Sequence, residues 1–92
     1  MTVPTTPITI TITVRYFASI REAVGVGQER LQTRAATLGA LRDELIARGE
    51  PWAGSLARER AVRMALNQVM GQEATPLADG AEAAFFPPVT GG

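Results

Sequence analysis

Two phenylalanines followed by two prolines, Phe85-Phe86-Pro87-Pro88, set the strongest limit on how this chain folds. Adjacent aromatics favour a strand. Proline has no backbone N–H and a fixed φ, so Pro87-Pro88 ends sheet pairing and holds the next segment extended. Val89-Thr90-Gly91-Gly92 follows without charge or large bulk. From Pro87 to Gly92 an extended chain reaches about 18–20 Å, enough to enter a cleft in another protein. Gly91 and Gly92 have no Cβ, so nothing crowds the last carbonyl, and the reactive group at the tip is the carboxylate itself. Such a tip suits a carboxylate that is activated and delivered.

The rest of the chain is poorly supplied for catalysis. It has no cysteine and no histidine, which removes disulfides, thiolate and imidazole metal sites, a cysteine nucleophile and a Ser-His-Asp triad. The commonest general base near neutral pH is missing too. Nine basic and nine acidic side chains leave no net charge, so neither nucleic acid nor an anionic membrane is an expected partner. All nine basic residues are arginine, so no side chain accepts an isopeptide bond. With 92 residues, 46% of them hydrophobic, the chain is expected to form one compact domain over residues 8–86. Residues 1–7, a Thr/Pro segment, read as an N-terminal extension without the marks of a signal peptide, and residues 87–92 as the tail. No stretch approaches the ~18 apolar residues that span a bilayer, and the cytoplasm is the expected location.

Ile8-Thr9-Ile10-Thr11-Ile12-Thr13-Val14 alternates without a break, the period of a half-buried strand. Ser19 and Glu22 match a capping box opening a short helix that Gly25 and Gly27 stop. A weakly marked strand follows over Glu29–Thr33. Thr37 suits the N-cap of a main helix over Leu38–Arg48, whose apolar stripe is Leu38, Leu41, Leu45 and Ile46. Arg42 and Arg48 are expected to face away from that stripe, and Gly39 to allow close approach to a sheet. Trp52 reads as a lid on the rim of the core, and Arg58, Arg60 and Arg63 as a solvated face. Val62–Leu66 alternates again, Asn67-Gln68 turns the chain, and Val69-Met70 returns it. Asp79-Gly80 is a second turn before a final strand over Ala81–Phe86. Its parity sends Ala81, Ala83 and Phe85 to one face and Phe86, with Glu82 and Ala84, to the other. Together these elements predict an α+β domain with helices over one face of a sheet.

Several runs carry a resemblance. Arg15-Tyr16-Phe17-Ala18-x-x-Arg21-Glu22, Ala65-Leu66-Asn67-Gln68, Pro76-Leu77-Ala78-Asp79-Gly80-Ala81-Glu82 and the closing Ala84-Phe85-Phe86-Pro87-Pro88-Val89-Thr90-Gly91-Gly92 are similar to the small subunits of molybdopterin synthase, sulfur carriers of the ubiquitin-like β-grasp type. The likeness spans about Ile8 to Gly92, and the Phe-Phe-Pro-Pro-Val-Thr-Gly-Gly run is its most specific part.

The resemblance implies a β-grasp fold with a mixed sheet. It implies that Gly92, preceded by Gly91, is adenylated with ATP by an adenylyltransferase/sulfurtransferase partner and converted to a thiocarboxylate. The loaded tail then enters a large catalytic subunit and gives its sulfur to cyclic pyranopterin monophosphate, in an assembly of two small and two large subunits. By position, Met70, Phe86, Pro87, Pro88, Val89 and Thr90 are the expected partner contacts. No bound cofactor or metal is expected. Ala81, Ala83 and Gly71 stand where the family has other residues, and are expected to thin the core and loosen the hairpin. A thiamine-pathway sulfur carrier and a ubiquitin-like protein modifier are the alternatives of the same general shape, and an interaction domain with an inert tail is a third.

Overall fold

The computed structural model of the chain describes residues 9–88. Strand β1 (Ile10–Tyr16) leads through helix α1 (Ala18–Val24) to β2 (Gln28–Thr33). Helices α2 (Leu38–Ile46) and α3 (Trp52–Ser55) follow, and then β3 (Arg63–Leu66), β4 (Val69–Met70) and β5 (Glu82–Phe86). The sheet runs β2-β1-β5-β3-β4. The two central strands, β1 and β5, pair in parallel, with Val14 opposite Ala83 and Tyr16 opposite Phe85. The other pairings are antiparallel.

Alternation decides what each face does. Ile12, Val14, Tyr16, Met64, Ala83 and Phe85 turn to one side and pack with Ile20, Leu38, Leu41, Leu45 and Leu56 from the helical layer. The expected helices over one face are found, and so is the expected parity of the last strand. Ala81 and Ala83, the small residues expected to thin the core, are both buried, at 4% and 0% exposure.

Local chemistry accounts for most boundaries. Thr37 caps α2 by accepting from the Ala40 N–H at 3.1 Å, as expected. The helix ends at Ile46, two residues before the expected Arg48. The N–H groups of Arg48 and Gly49 reach back only three residues, to Leu45 and Ile46, so the last turn tightens before Gly49 takes φ +88°. The expected capping box in α1 is absent. The N-cap position is Phe17, without a side-chain cap, because the Phe17 N–H is tied to the Phe85 carbonyl at 3.2 Å and fixes where the helix starts. Ser19 therefore lies inside the first turn. Gly25 stops α1 in the left-handed region, as expected.

Asn67 and Gln68 both have positive φ, the geometry of a tight hairpin turn whose twist matches the strands. Asn67 is also pinned across the sheet: its N–H donates to the Glu82 carbonyl at 2.8 Å, and its Oδ1 accepts from the Glu82 N–H at 2.9 Å. Asp79 Oδ1 likewise accepts from the Thr11 N–H, joining the second turn to β1.

Three expectations fail for a shared reason, namely contacts with residues distant in sequence. Arg42 does not face away but is 5% exposed. Its guanidinium donates to the carbonyls of Leu56 (2.8 Å), Ala57 (2.7 Å) and Arg60 (3.1 Å), and also meets Glu73 at 3.4 Å. Gly39 lies close to the loop between β4 and β5 rather than to the sheet, and a Cβ there would run into Glu73, 3.0 Å from its carbonyl oxygen. Gly71 leaves room for a core residue, since a Cβ would stand 2.6 Å from Leu38 Cδ1. The hairpin is tight there, not loosened. Arg48 is tied down as well, bonded to Glu29 at 3.0 Å and stacked 4.8 Å from the Trp52 ring centroid.

Candidate functional site

The site is built on β5. Held between β1 and β3, this central strand cannot shift without breaking two ladders, so Pro87 leaves the sheet at a fixed point. Pro87 and Pro88 are half-buried. Val89, Thr90, Gly91 and Gly92, the expected business end, lie outside the described residues, as does the extension expected over residues 1–7.

The helix-free face of the sheet surrounds this exit. By register it carries Thr11, Thr13 and Arg15 of β1, Arg63 and Ala65 of β3, Met70 of β4, and Glu82, Ala84 and Phe86 of β5. Met70 and Phe86, singled out separately in the sequence, therefore share one face, with the Ala65–Ala84 pair between them. Ala65 and Ala84 are 7% and 8% exposed, a shallow apolar floor. Met70 is 58% exposed and Val69 68%, large fractions for apolar side chains. A groove of about 320 Å³ lined by Arg63, Met64, Met70, Gly71 and Pro88 runs beside the exit.

Phe86 lies on the face its parity predicts and is half-buried there. Its ring meets Phe17 edge to face, 6.4 Å between centroids. Phe17 is itself 37% exposed, so the two rings form one apolar ridge beside the tail. In the sequence Phe17 stands out only as part of a motif. Its place beside Phe86 follows from the parallel pairing of β1 and β5, which no local pattern encodes. Arg15 was missed likewise; its guanidinium lies 5.1 Å from the Phe17 centroid and 3.5 Å from Glu82 Oε1.

The remaining arginines and aromatics support the frame. Arg58, Arg60 and Arg63 are all exposed, as expected; Arg58 also pairs with Asp43 at 2.8 Å and with Glu73, and Arg63 sits on the sheet face. Trp52 serves as the expected lid, its indole N–H donating to Tyr16 Oη at 3.2 Å. Tyr16 in turn donates to Glu29 at 2.8 Å, and burial together with that bond pushes its phenol well above its ordinary pKa. Among the described residues no group of acidic side chains is arranged to hold a metal ion, and no helix is long and apolar enough to cross a membrane.

A mixed five-stranded sheet with helices over one face, its last strand lying at the centre and ending at Pro87-Pro88, defines a ubiquitin-like β-grasp protein. The model of the ThiS family matches residues 14–92, and the chain belongs to that family. Over 81 residues it is 41% identical to the molybdopterin synthase sulfur carrier subunit of Escherichia coli (strain K12), covering 88% of this chain and 99% of that one. It is similar to the solution structure of the Haloferax volcanii HVO 2177 protein, with TM-score 0.74, 29% identity, and 91% and 88% of the two chains covered. It is also similar to a chain in the complex of subunits 1 and 2 of the molybdopterin-converting factor from Helicobacter pylori 26695. There the TM-score is 0.58 with 30% identity, covering 90% of this chain and 100% of that one.

Proposed function

We propose that this protein is the sulfur-carrier subunit of a molybdopterin synthase, and that Gly92 is the residue that carries the sulfur. The observation behind this reading is the exit of Pro87 and Pro88 from the central strand of a β-grasp sheet, in a chain whose sequence continues Val-Thr-Gly-Gly and is 41% identical to a sulfur carrier subunit. The Gly92 carboxylate attacks the α-phosphate of ATP on an activating enzyme, releasing pyrophosphate and leaving an acyl adenylate. A sulfur nucleophile displaces AMP from that carbonyl to give the thiocarboxylate. The protein's own part is geometric: Pro87 and Pro88 fix the exit, and Gly91 and Gly92 keep the path to the carbonyl clear.

The loaded tail enters the large subunit, where cyclic pyranopterin monophosphate receives the sulfur, and the working assembly holds two subunits of each kind. A relative solved as a complex of subunits 1 and 2 supports a large-subunit partner. Met70 and the Phe17–Phe86 ridge dock against it beside the tail, with Pro87, Pro88, Val89 and Thr90 leading in. The catalytic side chains belong to the large subunit.

Reconstitution tests this. Removing Gly92, or replacing Gly91 or Gly92 by valine, abolishes sulfur transfer in a reconstituted synthase and leaves the thermal midpoint nearly unchanged. Full activity of the shortened chain overturns the proposal.

A further inference from the structure

The helix-free sheet face has an uneven charge. Its strand residues include Arg15, Arg30 and Arg63 but a single acid, Glu82, although the whole chain carries equal numbers of acids and bases. Two of these arginines flank the apolar ridge. Arg63 lies directly across from Phe86 in the β3–β5 ladder, is exposed, and makes no ion pair among the described residues. Arg15 lies against Phe17 and beside Glu82, its Nε shielded from water and without an acceptor. Its guanidinium is thus held in place before any partner arrives, so little side-chain freedom is left to lose on docking.

We propose that Arg15 and Arg63 are the charge-specificity residues of this face, receiving carboxylates that rim an apolar pocket on the large subunit. This rests on the carrier reading and adds the chemistry of the surface that the carrier fits. Apolar contact at Met70, Phe17 and Phe86 supplies affinity, while the arginines set orientation, association rate and partner choice. Charges at a rim are screened by salt, and an apolar core is not.

The test is calorimetric titration of the large subunit with the intact chain at low and at high salt. Wild-type affinity falls as salt rises. Arg15→Glu with Arg63→Glu lowers low-salt affinity by more than tenfold, and the deficit shrinks at high salt. Since a glutamate at position 15 would face Glu82, Arg63→Glu alone and Arg15→Gln are measured beside it, each losing several-fold with an unchanged melting midpoint. Arg34→Glu makes the same charge change as Arg63→Glu alone, at the cleft between β2 and Glu44, and stays within twofold of wild type. Wild-type affinity of the double variant at low salt overturns the inference. So does an equal loss in Arg34→Glu, which would be a net-charge effect, or self-association of the chain through this face. A wild-type chain that does not bind the large subunit overturns the carrier reading, and this inference with it.

Discussion

Arg42 carries more of the tertiary structure than its residue type suggests. One buried guanidinium gathers three carbonyls from the segment 56–60 and meets Glu73, joining α2 to both loops that flank the β3–β4 hairpin. Arg42→Ala strands those carbonyls, each costing about 1–3 kcal/mol where it stays dry. A drop in the urea midpoint with an unchanged slope is the expected reading. Lysine does not rescue it, having one ammonium where a planar fork is needed. Tyr16 gives a pH prediction of definite sign. Its phenol stays protonated in the fold beyond the pH at which the unfolded chain ionises, near 10.0. The unfolded state therefore binds fewer protons above that pH, and stability present below it is lost as pH rises further. Denaturant midpoints should be flat through neutrality and fall above pH ~10; Tyr16→Phe should be less stable at neutral pH and lack that alkaline slope.

Elements differed in how far local pattern decided them. The alternation that made β1 and the parity of β5 were legible because a strand half-buried in a sheet writes its burial in period two, and the Thr37 cap because its partner is three residues away. Arg42, Gly39, Gly71 and Phe17 were misread or missed because each answers to a contact distant in sequence. On a helical wheel Arg42 is simply polar, and nothing nearby announces the carbonyls of residues 56–60. The sheet face that gathers Met70 and Phe86 was half legible: parity assigned Phe86, but only the β1–β5 and β3–β5 pairings bring Phe17 and Met70 to it. Gly71 gives a test at this scale. Gly71→Val should destabilise the domain by about 1–3 kcal/mol, because its Cβ is forced toward Leu38 in a closed core. A higher melting midpoint would show that the hairpin has slack. At the ridge, Phe86→Arg should lower stability modestly, since its ring is half-buried against Phe17 rather than in the core. Affinity for the large subunit should fall by at least tenfold, about 1.4 kcal/mol.

As a whole the molecule divides its labour by face. The helical side encloses Tyr16, Phe85 and the three leucines of α2 and bears the acid–arginine networks around Glu29 and Glu73. The opposite sheet face carries the exposed Met70 and the Phe17–Phe86 ridge beside the exit at Pro87. Such a division suits the proposed role, in which a chain without cysteine or histidine offers its Gly92 carboxylate to the proteins that act on it. The measurement that addresses this most directly is the intact mass of the protein after incubation with ATP, a sulfur source and the activating enzyme. A gain of one sulfur in place of one oxygen, mapped to Gly92 and absent from a chain lacking that residue, is the predicted result. An unchanged mass, or a ladder of adducts joining the chain to lysines of other proteins, contradicts the account.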